Sequence, residues 1–213
     1  MAEADLKGRS VDGINGMAGI NNISIDRDGK KYRLDSFLTA TVNDPDKSEI
    51  KVSSALIDIN YSGTVSPIAL PDLLKQFANN YFQLSDSVQQ TGKSGPANFN
   101  FGIQFHNHPI LSKVLLPQLR EFEPGIIEGS FDSGKKELKL NASMKKIVYG
   151  TTEIKDFAIA VNSDNTALNY KISGSAVSNA QVSLDNFLQR MGILSQTTTR
   201  IRSKPNRQQE LQR

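Results

Sequence analysis

Apolar residues recur at every second position along most of this chain, the period at which successive side chains leave opposite faces of a β-strand. Tyr32, Leu34, Leu38, Ala40 and Val42 share one parity, with Arg33, Asp35, Thr39 and Thr41 on the other. Ala55, Ile57, Ile59 and Tyr61 alternate with Asp58, Asn60 and Ser62. Phe99, Phe101, Ile103 and Phe105 alternate with Asn98, Asn100, Gly102 and Gln104. The pattern continues through Leu138 and Leu140, Ile147 and Tyr149, Phe157, Ile159 and Val161, and then Leu168, Tyr170 and Ile172. Asp28-Gly29, Ser133-Gly134 and Asp164-Asn165 punctuate these runs with residues that tolerate the positive φ of hairpin turns. The expected fold is mainly β, an antiparallel meander of about nine or ten strands with one apolar face.

Two segments change period. Leu70, Leu73, Leu74, Phe77, Tyr81 and Leu84 recur every three to four residues, and Pro71 with Asp72 suits a first helical turn. This predicts a short amphipathic helix near 67–83. A second stripe, Ile110, Leu111, Val114, Leu115 and Leu119, follows Pro109 and predicts a helix near 109–120 that Pro117 breaks or kinks. Both are expected to pack on the sheet's apolar face or cap one end of it. Between them, 85–97 reads as a polar Gly/Ser/Gln-rich loop. The strand pattern resumes at Asn98, so 1–199 reads as a single β-rich unit.

Composition narrows the chemistry. There is no cysteine, which excludes disulfide frameworks, thiolate metal sites and cysteine nucleophiles. The net charge of +3 misleads, because Arg200, Arg202, Lys204, Arg207 and Arg213 stand against Glu210 alone in the last fourteen residues. That tail carries +4 and leaves the rest at −1 (3 − 4). A nearly neutral body offers no phosphate-tracking footprint, so no nucleic-acid partner is expected. The tail, 200–213, reads as a basic, disordered end. Met1–Ser10 holds Glu3, Asp5, Lys7 and Arg9 without an apolar run, unlike a secretory leader.

No residue set composes an active site. His106 and His108 are the only histidines and would share a strand face, with Glu121 or Glu123 as further ligand candidates. Two imidazoles closing a strand before Pro109 explain them better than a metal, which is not expected. Gly13, Gly16 and Gly19 have the wrong spacing for a dinucleotide fingerprint and precede a β pattern. Asn22, Asn60 and Asn141 begin N-x-S sequons, which matter only on a eukaryotic secretory route. The chain reads as non-enzymatic, with no cofactor. What remains is the apolar face, which a second sheet, a helix layer or a ligand must cover. A closed sandwich with a dry core, as in a surface or adhesion module, is one solution. A curled open sheet holding lipid chains is the other.

The run "YRLDSFLTATVNDPDKSEIKVSSALIDINYSGTVSPIALPDLLKQFANNYF" resembles the TamB-like proteins of the AsmA-like superfamily in Bacteroidetes-type bacteria. A strand pair there leads to a helix opening on Leu-Pro. The later "FNFGIQFHNHPILSKVLLPQLREFEPGIIEGSFDSGKKELKLNASMKKIVYGTTEIKDFAIAVNSDNTALNYKI" continues the likeness. It has an F-x-F-x-I-x-F-x-N strand, a helix through "LLPQL" and a G-x-F-D-S-x-x-x-x-L-x-L hairpin. The similarity spans Gly13 to Ser178. It implies an elongated, taco-shaped β-groove within a long periplasmic protein, anchored in the inner membrane through a part outside this chain. It also implies conduction of phospholipid toward the outer membrane and support of outer-membrane protein assembly. The implied partners are phospholipid acyl chains, an outer-membrane barrel protein and neighbouring repeats of the same long chain. The expected groove lining is Leu34, Leu38, Ile57, Ile59, Tyr61, Phe99, Phe101, Ile103, Phe105, Leu138, Leu140, Ile147, Tyr149, Ile159, Val161, Leu168, Tyr170 and Ile172.

Overall fold

The structure is a computed structural model that describes residues 2–8, 14–44, 46–82, 96–179 and 183–194. Most of the expected polar loop and all of the basic tail lie outside the described residues. Twelve strands form one antiparallel sheet: β1 (Ala2–Lys7), β2 (Asn15–Arg27), β3 (Lys30–Asp44), β4 (Lys47–Ser54), β5 (Ile57–Gly63), β6 (Asn98–Phe105), β7 (Leu119–Phe122), β8 (Gly125–Asp132), β9 (Glu137–Tyr149), β10 (Thr152–Ser163), β11 (Ala167–Ser178) and β12 (Ser183–Leu194). Eleven follow one another across the sheet in sequence order, and β7 alone stands off that path, paired to β9. The sheet is open and not closed into a barrel, with β1 and β12 at its edges. It has more strands than the sequence pattern suggested.

Local chemistry accounts for the meander. Asp28 (φ 54°) and Gly29 (φ 71°) are both left-handed, and Arg27 pairs with Lys30 around them. This is the two-residue turn whose twist matches that of its strands. β7 and β8 lie end to end along one side of β9: Phe122 pairs with Ile147 and Gly125 with Met144. Pro124, without an N–H, sits in the gap between them.

Three left-handed residues sit inside strands: Asn22 (φ 57°), Asp156 (φ 48°) and Asn186 (φ 49°). Pairing keeps the same register on either side of each. Opposite Asn22 the parity of burial changes instead. On β9, opposite Asp156, Leu138, Leu140, Ala142 and Met144 are half-buried at even positions, but beyond Lys145 the alternation is lost, with Lys146, Ile147 and Val148 all half-buried. On β3, Leu34 is buried, yet from Phe37 onward the inward parity is odd. Asx side chains tolerate this region better than any other non-glycine residue, which accounts for the choice at these positions.

The two period changes have different outcomes. Pro67–Ala69 forms a 3-10 turn that runs into helix α1 (Leu70–Ala78), with Pro71 in its first turn. The second segment is shorter than its apolar stripe implied. It makes one π-type turn, Leu111–Leu115, closed by Leu116 N–H donating to the Leu111 carbonyl at 2.7 Å. Pro117 follows, and Leu119 belongs to strand β7 instead of a helix.

Candidate apolar groove

Directly paired residues share a sheet face, so register assembles the face row by row. One row runs Val52, Ile59, Ile103, Ile127, Ala142, Ile159, Ile172, from β4 to β11. Seven strands at the usual spacing make it about 29 Å long. The next row runs Ile50, Tyr61, Phe101, Gly129, Leu140, Val161, Tyr170, Met191. Beside it stand Phe99, Phe131 and Leu138, with Leu168 and Ile193 further along. On the other flank stand Ile57, Phe105, Gly125, Met144 and Phe157. Of the predicted lining, the structure therefore brings Ile57 to Tyr61, Phe99 to Phe105, Leu138, Leu140, Ile159, Val161 and Leu168 to Ile172 onto one face.

Coverage of that face is uneven. α1 lies over one end, where Phe77 and Tyr81 pack with Tyr61, Phe99, Phe131 and Leu168 in a buried cluster. Phe77 meets Phe131 edge-on with ring centres 5.3 Å apart, and Phe99 stacks on Phe131 at the same distance. Tyr61 donates to the Val65 carbonyl at 2.8 Å, and burial pushes its hydroxyl up to about 12. Tyr81 donates to the Asp164 carbonyl and is likewise raised by burial. The row from Val52 to Ile172 lies beyond the helix, and none of its seven residues is fully buried. It remains half-open along its whole length. At the opposite strand ends, Arg27 of β2 donates to the carbonyl of Val114 in the π turn. The turn follows β6, and β3, β4 and β5 separate β2 from β6, which on a flat sheet is about 19 Å. The bond thus bridges the N-terminal third of the sheet.

Four predicted lining residues, Leu34, Leu38, Ile147 and Tyr149, fall outside that set of rows. Leu38 pairs with Gly19 and Ser53, on the opposite face to Val52, and is 49% exposed. The parity change opposite Asn22 is the reason: Leu34 is buried, but extrapolating its alternation to Leu38 crosses the switch. Tyr149, at the end of β9, is also 49% exposed. Ile147 pairs with Phe122 and Ile154, past the Asp156 irregularity. Val52, Ile127, Ala142 and Phe131 share that face and are not among the expected lining. Ile50 and Val52 alternate with Lys51 and Ser53, and this signal is present in the sequence.

The histidines are used separately. His106 Nε2 lies 2.8 Å from Asp58 Oδ2, while His108 Nδ1 accepts the Ile110 N–H at 3.2 Å at the start of the π turn. The His106 hydrogen bond is the main reason the Asp58 carboxyl lies below its ordinary range. Among the described residues no three His, Asp or Glu side chains group to hold a metal, and no helix is long and apolar enough to cross a membrane. Comparison with protein-family models, with curated proteins and with solved structures finds no match.

Chemically, the half-open row from Val52 to Ile172 presents alkyl side chains, and the next row adds aromatic rings with the Tyr61 and Tyr170 hydroxyls. Covering apolar surface of this kind is favourable by about 0.8 kcal/mol per methylene removed from water.

Proposed function

We propose that this chain is a segment of a lipid-conducting bridge in the bacterial cell envelope, of the TamB-like kind. Its apolar sheet face holds phospholipid acyl chains in the periplasm and passes them toward the outer membrane, in support of outer-membrane protein assembly. One observation carries the reading. The row Val52, Ile59, Ile103, Ile127, Ala142, Ile159, Ile172 is continuous across seven strands yet only half-buried. A dry protein core covers such a row; a conduit leaves it free. The row runs across the strands and gives way to Thr39 on β3 and to Gln189 on the edge strand β12, while the next row reaches β12 through Met191. The edges β1 and β12 are the places for neighbouring repeats, with membrane anchor and barrel partner supplied outside this chain.

The sandwich alternative needs a second sheet, and all described strands belong to one. The test is native mass spectrometry with lipid extraction on protein purified from a Gram-negative host. Ile103→Asp leaves the fold intact and removes co-purifying phospholipid, because its site is half-open. Phe131→Asp, under α1, buries an unpaired charge at a cost of ~3–5 kcal/mol and unfolds the chain. Lipid-free wild-type protein, with Ile103→Asp unfolding too, overturns the proposal.

A further inference from the structure

The opposite face of the sheet carries a second site that does not depend on the groove. In the register of β9 to β12, Lys139, Asn162, Asn169 and Gly192 form one cross-strand line. Asn141, Ala160, Lys171 and Arg190 form the next. All eight are exposed, and together they line most of a concavity of about 620 Å³ that has no carboxylate in its lining. Ala160 and Gly192 keep its floor low beneath the three long cations.

Two features point to its ligand. Lys171 and Arg190 stand directly opposite each other, and like charges so placed destabilise a strand pair. Neither they nor Lys139 form an ion pair among the described residues. An anion relieves that repulsion. The second feature is apolar. On the edge strand β12, Leu188 and Leu194 share the parity of Arg190 and Gly192 and are 54% and 68% exposed. Cations beside exposed leucines on one edge match a membrane interface, with phosphates above and acyl chains below.

We propose that this face docks on an anionic membrane surface. Lys139, Lys171 and Arg190 engage lipid phosphates, and Leu188 and Leu194 enter the interface. The concavity is shallow and its donors are solvated, so a single free phosphate gains little there. A membrane engages all three cations at once.

The experiment is co-sedimentation of the full chain with phosphatidylcholine vesicles, with and without phosphatidylglycerol, over a salt series. Binding is expected only with phosphatidylglycerol, weakening as salt rises. Lys171→Gln with Arg190→Gln lowers it about fivefold per cation removed. Leu188→Ser with Leu194→Ser lowers binding but preserves its salt dependence. Both pairs are exposed, and Lys171→Gln alone raises the unfolding midpoint by relieving the opposed charges. The Arg-rich segment 200–213 is unchanged in every variant. Equal binding by the charge variant and the wild type therefore assigns the attraction elsewhere and overturns the proposal. Displacement by inorganic phosphate at matched ionic strength overturns it too, in favour of a soluble phosphate ligand.

Discussion

The Tyr81 hydroxyl donates to the Asp164 backbone carbonyl at 2.6 Å, joining the segment after α1 to the β10–β11 turn across 83 residues of chain. With Phe77 on Phe131, this bond fixes the helix over one end of the apolar face and leaves the middle uncovered. Tyr81→Phe retains the ring and removes the bond, at a cost of about 1 kcal/mol. The urea midpoint should fall modestly, and amide exchange should quicken in α1 more than in β6. Uniform acceleration over both elements would mean that the bond supports the whole sheet and not the helix alone.

Gly129 is opposite Phe101, and the Phe101 ring closes over it. A Cβ added at Gly129 would stand 2.5 Å from the Lys139 carbonyl oxygen and 2.7 Å from the Phe101 ring. Gly174 and Phe187 repeat the arrangement on β11 and β12. An aromatic ring thus supplies the packing a glycine lacks within a strand pair. Gly129→Ala should destabilise by about 1–3 kcal/mol through overpacking, read as a lower unfolding midpoint. Gly102→Ala, with open space around its added methyl, should be close to neutral and serves as the control.

Asp58 and His106 link β5 to the end of β6. The ring's hydrogen bond, helped by Ser53 and the Ser54 N–H, holds the Asp58 carboxyl below its usual range against the opposing effect of burial. A depressed carboxyl contributes stability above its unfolded value and loses it as pH falls through its folded one. The stability difference between the wild type and Asp58→Asn should therefore be present at neutral pH and shrink below about pH 4. Parallel pH–stability curves would contradict the linkage. In His106→Ala the Asp58 carboxyl should titrate higher, which carbon-detected NMR resolves.

Tyr61 gives the alkaline counterpart. Burial raises its hydroxyl from the ordinary tyrosine value to about 12, so its neutral form is favoured in the folded chain. That stabilisation is full below about pH 10 and is lost as pH rises toward the folded value. Tyr61→Phe should flatten the alkaline limb of the pH–stability curve, and tyrosinate absorbance should show one late-titrating group fewer.

Alternation in the sequence reveals the strands because a one-sided sheet repeats every two residues, and Ile57 to Tyr61 and Phe99 to Phe105 keep that period unbroken. It misplaces Leu38 because a left-handed Asn22 on the neighbouring strand changes the inward parity of β3. Asparagine has no sequence signature separating this use from an ordinary exposed site. The second helix shrank to one turn for a related reason. Ile110 to Leu119 has helical spacing, but Pro117 ends the turn, and β9 offers Leu119 a strand partner at Tyr149. The alternating runs pass over β1 and β12, which as edge strands bury little and need no strict alternation, and over β2, β4, β7 and β8 as well. Distances along the chain also hide how far the apolar face is covered. Whether Ile59 and Ile159 are covered depends on where a helix anchored by Tyr81 comes to rest.

The most direct measurement uses the absence of cysteine from the chain. Ile103→Cys and Gln104→Cys place a fluorophore on adjacent residues of β6 that point to opposite faces, the first in the half-open row and the second outside it. Each labelled protein is loaded with phospholipid carrying a nitroxide quencher on its acyl chain. An acyl-filled groove quenches the probe at 103 and spares the probe at 104. Equal quenching at both positions, or none at 103 in folded, lipid-loaded protein, would contradict the lipid-conducting face.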